Sequence, residues 1–111
     1  MKAALITTGL EITGARIVRH VGIARGIVVR SRSVVGRFFA AFQMFLGGNI
    51  TIYTNLCEKA RLDAYHLMCQ HAEKNGANAI VSMRYDTTDI APGVTEVLCY
   101  GTAVVVEEDQ S

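Results

Sequence analysis

Six side chains of this 111-residue chain can bind a soft metal: Cys57, Cys69, Cys99, His20, His66 and His71. No CxxC, HExxH or paired Cys/His knuckle joins them. One spacing stands out. His66 and Cys69 are three residues apart, so a helix sets them on adjacent positions of one face, with Glu73 further along it. His66, Cys69 and Glu73 are therefore the candidate metal ligands. Three ligands fall short of the four of a structural zinc site. A neighbouring subunit would have to complete the set, and one chain alone predicts no tight stoichiometric site. The competing reading makes Cys69 interface packing and His66 a solvated residue.

The other reactive groups read more plainly. His71 falls in an apolar stripe near a helix C-terminus, where its ring can hydrogen-bond a carbonyl and its cation suits the helix dipole. It reads as a core histidine. Cys57 lies on the same side as a small hydrophobe, and Cys99 falls inside a strand. Asp86, Asp89 and Glu96 flank a loop and could pair as acid and base, but solvated acids are the simpler account. No nucleophile sits beside an obvious base, so the chain does not read as an enzyme. Gly47-Gly48-Asn49 could offer backbone N–H groups to an anion. No Lys-Ser/Thr pair follows, so turn chemistry explains it. Asn49-Ile50-Thr51 has the glycosylation pattern and is set aside, because nothing marks a secretory route.

These groups need elements to position them. Residues 15–30, ARIVRHVGIARGIVVR, are rich in Ile and Val and predict a strand, bent or bulged at Gly22 and Gly26. Ser31 or Ser33 can cap a helix over VVGRFFAAFQMFL, residues 34–46, which holds all four phenylalanines. Its apolar residues fill an arc roughly 160° wide, too apolar for the surface of a small domain. Gly47 and Gly48 end it. A second helix should run from about Tyr53 to Asn75, stopped by Gly76. It carries one stripe of Tyr53, Leu56, Cys57, Ala60, Ala64, Leu67 and Met68. A second stripe of Leu62, Tyr65, Cys69 and Ala72 lies roughly opposite, so the helix should pack on two surfaces at once. Ala79–Tyr85 predicts a strand, residues 86–93 a loop and residues 94–106 a last strand, the two strands forming an antiparallel hairpin. The order strand, helix, helix, strand, strand is an α+β layer, with an antiparallel sheet packed on a long helix.

Composition points to assembly. Half of the residues (50%) are hydrophobic and 19% charged, while a domain this small buries only about 65% of its unfolded surface. Burial between subunits is the outlet. Phe38, Phe39, Phe42, Leu62, Tyr65 and Cys69 are the expected interface residues. Between Ile12 and Cys57 stand six arginines and no acid; from Glu58 to Ser111 stand four bases against nine acids. That segregation suits a head-to-tail contact between identical subunits as well as it suits two solvated faces. The arginines lack interleaved aromatics, so nucleic acid is not expected. Three cysteines argue against a disulfide framework. The first fourteen residues do not read as a signal peptide, since Glu11 interrupts a short apolar run. No run reaches the roughly 18 residues of a membrane span. A cytoplasmic location is expected.

The segments GIARGIVVRSRSVVGRFFAAF, GGNITIYTNLCEKAR, GANAIVSMRYDT and YGTAVVV resemble, in order and spacing, the YbjQ-like proteins, a family carrying a heavy-metal-binding label. The resemblance covers roughly residues 5 to 106 and makes residues 1–111 one YbjQ-like domain. It implies a dodecin-like fold and ring-shaped homopentamers. It implies no activity, and no catalytic residue carries over. The expectation is a non-enzymatic homo-oligomer with itself as partner. It would have no obligate cofactor, but a metal ion or small ligand could sit at subunit boundaries. The alternatives are a ligand-free interaction scaffold or an enzyme with an inter-subunit site.

Overall fold

The computed structural model describes residues 5–31 and 51–109. The Phe-rich helix over 34–46, with Phe38, Phe39, Phe42, Arg37 and Gly47-Gly48, lies outside the described residues. The described elements are β1 (Ala15–Ser31), α1 (Thr51–Lys74), β2 (Ala79–Ala91) and β3 (Val94–Glu108). The strands form one antiparallel sheet in the order β1-β3-β2, and α1 lies across one face. The class is α+β.

β1 forms where the β-branched run predicted it. It pairs with β3 along its whole length and slips register between Ile17 and Arg19 and again between His20 and Gly22. Gly22 is therefore at a bulge, as expected. Gly26 is not: it pairs regularly with Cys99. Its task is close approach. A Cβ there would land on the Ala64 carbonyl oxygen and the Met68 amide of α1.

That approach is possible because the buried row of α1 is Ala60, Ala64, Met68 and Ala72, four positions at i+4 spacing of which three are alanine. This corrects the two-stripe expectation. The core row takes members of both stripes, while Cys57, Leu62 and Leu67 stay exposed. Tyr65 and Cys69 border the core. Small size, not greasiness, selects the face that meets the sheet. The helix stops in a Schellman turn. Ala77 N–H donates to Ala72 O and Gly76 N–H to Glu73 O, each at 3.0 Å. Gly76 takes the positive φ of 89° this cap needs.

β2 runs six residues past Tyr85, so the expected loop over 86–93 is mostly strand. Only Pro92 and Gly93 turn the chain, with Gly93 at φ 74°, the chemistry of a type II turn. Cross-strand pairing with β3 holds the polar run Asp86–Asp89 extended. An N-terminal segment, Leu5–Gly9, lies along the outer edge of β2. Thr7 N–H donates to Ile80 O, Met83 N–H to Thr7 O and Ser82 N–H to Gly9 O, which blunts that edge.

The two faces of the sheet differ. Under α1 lie Ala24, Gly26 and Val28 of β1 with Val97, Cys99 and Ala103 of β3. On the opposite face one end is covered by Ile12, packed with Ala79, Val81, Val104 and Val106. The remainder is open, and Ile23, Ile27 and Val29 are 75%, 43% and 50% exposed there. Among the described residues no helix is long and apolar enough to cross a membrane.

Candidate functional site

α1 carries the residues with chemistry. His66 is exposed, its ring tilted against Tyr65 with centroids 5.9 Å apart. Cys69 is half-buried and Glu73 exposed. Among the described residues no three His, Cys, Asp or Glu side chains gather to hold a metal ion, so His66, Cys69 and Glu73 do not close a site within one chain. Cys57, expected against the core, is exposed.

One turn inward the picture changes. Cys99 of β3 is buried beneath α1, and its thiol donates to Met68 Sδ at 3.6 Å. Cys69, Tyr65 and Met83 border the same cluster. Tyr85, on the helix side of β2, reaches Arg61 O with its hydroxyl at 3.4 Å, and the Arg61 guanidinium stands 5.7 Å from the Tyr85 ring centre. Sequence spacing could not find this grouping, because Cys69 and Cys99 lie on elements that only the topology brings together.

Burial governs the protonation of these groups. It pushes the Cys99 thiol up to about 11; Tyr85 hydrogen bonding pulls back, and Cys69 adds to the rise. Tyr85 goes up to about 12, again chiefly by burial, with Cys99 adding and Arg61 opposing. Tyr65 and Cys69 are raised too, burial first; a hydrogen bond from Tyr65 partly restrains Cys69. All four stay protonated at neutral pH. The thiols are not poised as nucleophiles.

The remaining candidates are engaged structurally. His71, read as a core histidine bonding a carbonyl, instead accepts: the Arg25 N–H donates to its Nδ1 at 3.1 Å. A ring on the helix thus satisfies an amide of edge strand β1. Asp89 accepts from Thr95 Oγ1 at 3.0 Å. The register sets Asp86 and Glu96, opposite Leu98 and Thr88, on the face away from Asp89. The three acids therefore do not converge. Two of the six segregated arginines find acids within the chain: Arg16 pairs with Glu107 at 3.0 Å and Arg30 with Asp63 at 3.1 Å.

A family profile described as "Putative heavy-metal-binding" matches residues 4–107. The chain belongs to the YbjQ family. It is 65% identical over 100 residues to a protein of Burkholderia mallei (strain SAVP1) named as a UPF0145 protein, covering 90% of each chain. A UPF0145 protein of Burkholderia pseudomallei (strain 668) matches at the same 65% over 90% of each chain. Among solved structures, a protein of unknown function of the DUF74 family from Pediococcus pentosaceus superposes with a TM-score of 0.59 at 16% identity, over 96% of this chain and 100% of that one. At that identity the likeness is one of fold. None of these names states a reaction, and nothing in this YbjQ-family chain's described residues points to one.

Proposed function

We propose that this YbjQ-family chain is a non-catalytic binding module that works as a homo-oligomer, a pentameric ring by family resemblance, with a metal ion or small ligand held at subunit boundaries in the cytoplasm. The observation carrying this reading is the open sheet face. Ile23, Ile27 and Val29 stand side by side on β1, with Leu98 and Tyr100 opposite Ile27 and Arg25 on β3. Burying an aliphatic side chain of this size contributes about 1.5–3 kcal/mol, and contiguous exposed patches of this kind mark contact surfaces. Leu62 and Leu67 add exposed apolar area on the outer side of α1. The engagement of His71, Asp89, Asp63 and Glu107 in structural bonds supports binding over catalysis.

The test is native mass spectrometry with elemental analysis of the purified protein. A single oligomer of three or more subunits that retains metal or a small molecule is expected. A monodisperse monomer at micromolar concentration removes the reading. A clean oligomer with no bound species reduces it to a scaffold.

A further inference from the structure

We propose that α1 and β3 build a soft-cation site inside each chain, in which Cys69 and Cys99 hold a monovalent copper-class ion with the thioether of Met68 beside them. The inference deepens the ligand half of the reading above and is independent of the oligomer half. It also moves the ligand from the subunit boundary and the outer face of α1, where His66 and Glu73 lie, to the seam between helix and sheet.

The geometry points there for three reasons. First, sulfur is concentrated. Cys99 and Met68 are wholly buried with their sulfur atoms 3.6 Å apart, and Cys69 and Met83 border the same cluster. Four of the chain's seven sulfur-bearing residues, three Cys and four Met in all, thus meet at one seam. The Cys69 thiol is near enough to oppose ionisation of Cys99. Second, the donor set selects the ion. Thiolate and thioether are soft ligands that favour Cu(I). Zinc would ask for four N, S or O donors in a tetrahedron, and Mg²⁺ or Ca²⁺ for oxygen. Third, the charge has a counterpart. Binding replaces two S–H protons by one cation: Cu⁺ and two thiols give a bis-thiolate Cu(I) centre of charge −1 and two protons released. The Arg61 guanidinium, over the Tyr85 ring, supplies positive charge at the border of the cluster. The half-buried Cys69 is the entry side; Cys99 is reached through it.

Sequence spacing predicts no tight site within one chain, because it counts neighbours along a helix. The seam joins residues 30 positions apart, as the difference between 99 and 69 shows.

The experiment is anaerobic titration of the reduced, intact protein with Cu(I) in competition with a chromogenic chelator. The variants are Cys99→Ser, Cys69→Ser, Met68→Leu, His66→Ala and Cys57→Ser. One Cu(I) per chain is expected. Cys99→Ser and Cys69→Ser should each lose at least tenfold in affinity, and Met68→Leu less. His66→Ala and Cys57→Ser should bind like the wild type. A wild type that competes for no Cu(I) overturns the proposal, as does a loss confined to His66→Ala. X-ray absorption at the copper edge of the loaded wild type decides the matter if a core variant misfolds: an all-sulfur shell supports the site, and a shell containing nitrogen overturns it. A monomer that binds Cu(I) through Cys99 leaves this inference standing and removes the oligomer reading; a ring that binds none does the reverse.

Discussion

The two faces of the sheet use residue size in opposite ways. Beneath α1 the sheet shows Ala24, Gly26, Ala103 and Cys99, with Val28 and Val97 at one end. On the open face the same strands show Ile23, Ile27, Val29, Leu98 and Tyr100. A chain meant to stand alone would reverse this and bury its larger aliphatics. Small residues on the covered side let α1 approach until only glycine fits between strand and helix. Large ones on the other side remain to be covered by something else. One face is thus built for internal contact at short range, and the other for an external partner.

Substitutions on the covered face should have the largest effects. Gly26→Val puts a side chain where the Ala64 carbonyl and Met68 amide already stand. The helix must lift off the sheet, and we expect the variant to be insoluble or to lose its cooperative thermal transition. Met68→Ala opens a cavity at the centre of the core and should cost about 2–5 kcal/mol, read as a lower urea midpoint. A Gly26→Val variant as stable as the wild type would mean that α1 does not sit on β1 as described.

The opposite face should answer differently. Ile27→Lys places a charge on the open row and removes no packing within the chain. Its effect on the stability of the single chain should stay within about 0.5 kcal/mol. Its effect on assembly should be large, with light scattering showing smaller species. If Ile27→Lys leaves the oligomer intact while Leu62→Lys breaks it, the contact surface is the outer face of α1 instead.

Much of this contrast is legible in the sequence, and the failures have physical causes. β1 and α1 were placed to within about two residues, because Ile/Val enrichment and Gly76 are local signals. The outer half of β2 was not. Asp86, Thr87, Thr88 and Asp89 carry no apolar alternation, and their strand is imposed by partner β3. Cys57 and Leu67 were set on the core face by hydrophobicity, while the close crossing at Gly26 selects alanines. The expected triad of His66, Cys69 and Glu73 rests on helical spacing alone. The sulfur seam and the Arg25–His71 bond need the tertiary fold, so no window of sequence contains them. Phe38, Phe39 and Phe42 lie outside the described residues, and their interface role stays a proposal.

Alkaline titration should sharpen the contrast again, at smaller amplitude. Folding holds the Cys99 thiol protonated from its ordinary 9.0 up to about 11, and the Tyr85 phenol from 10.0 up to about 12. The unfolded chain loses these protons first, so it binds fewer protons than the native chain in that window. The stability is therefore fully present below pH about 9 and falls as pH rises to about 12. The urea midpoint should be flat through neutral pH and decline above it. Tyr85→Phe should flatten the upper part of the decline and Cys99→Ala the lower part. Tyr100, on the open face, should not change the curve when replaced by Phe.

The smallest effects belong to the ion pairs, and they bear on the segregated charge of the chain. The Arg30–Asp63 pair ties the sheet to α1, with the two side chains 40% and 35% exposed, and Lys59 adds a second cation to Asp63 at 3.6 Å. The Arg16–Glu107 pair sits across β1 and β3, at 68% and 60% exposure. Exposed pairs contribute about 0.2–1 kcal/mol, less with salt. A double-mutant cycle on Arg30 and Asp63 should fall in the upper part of that range, and one on Arg16 and Glu107 near its floor, vanishing in high salt. If both pairs couple equally and neither responds to salt, burial in an assembly must cover Arg16 and Glu107, since solvent cannot then be screening them. The cycle would then report a subunit contact at the sheet end, and the basic stretch would face a neighbour there as well as its own chain.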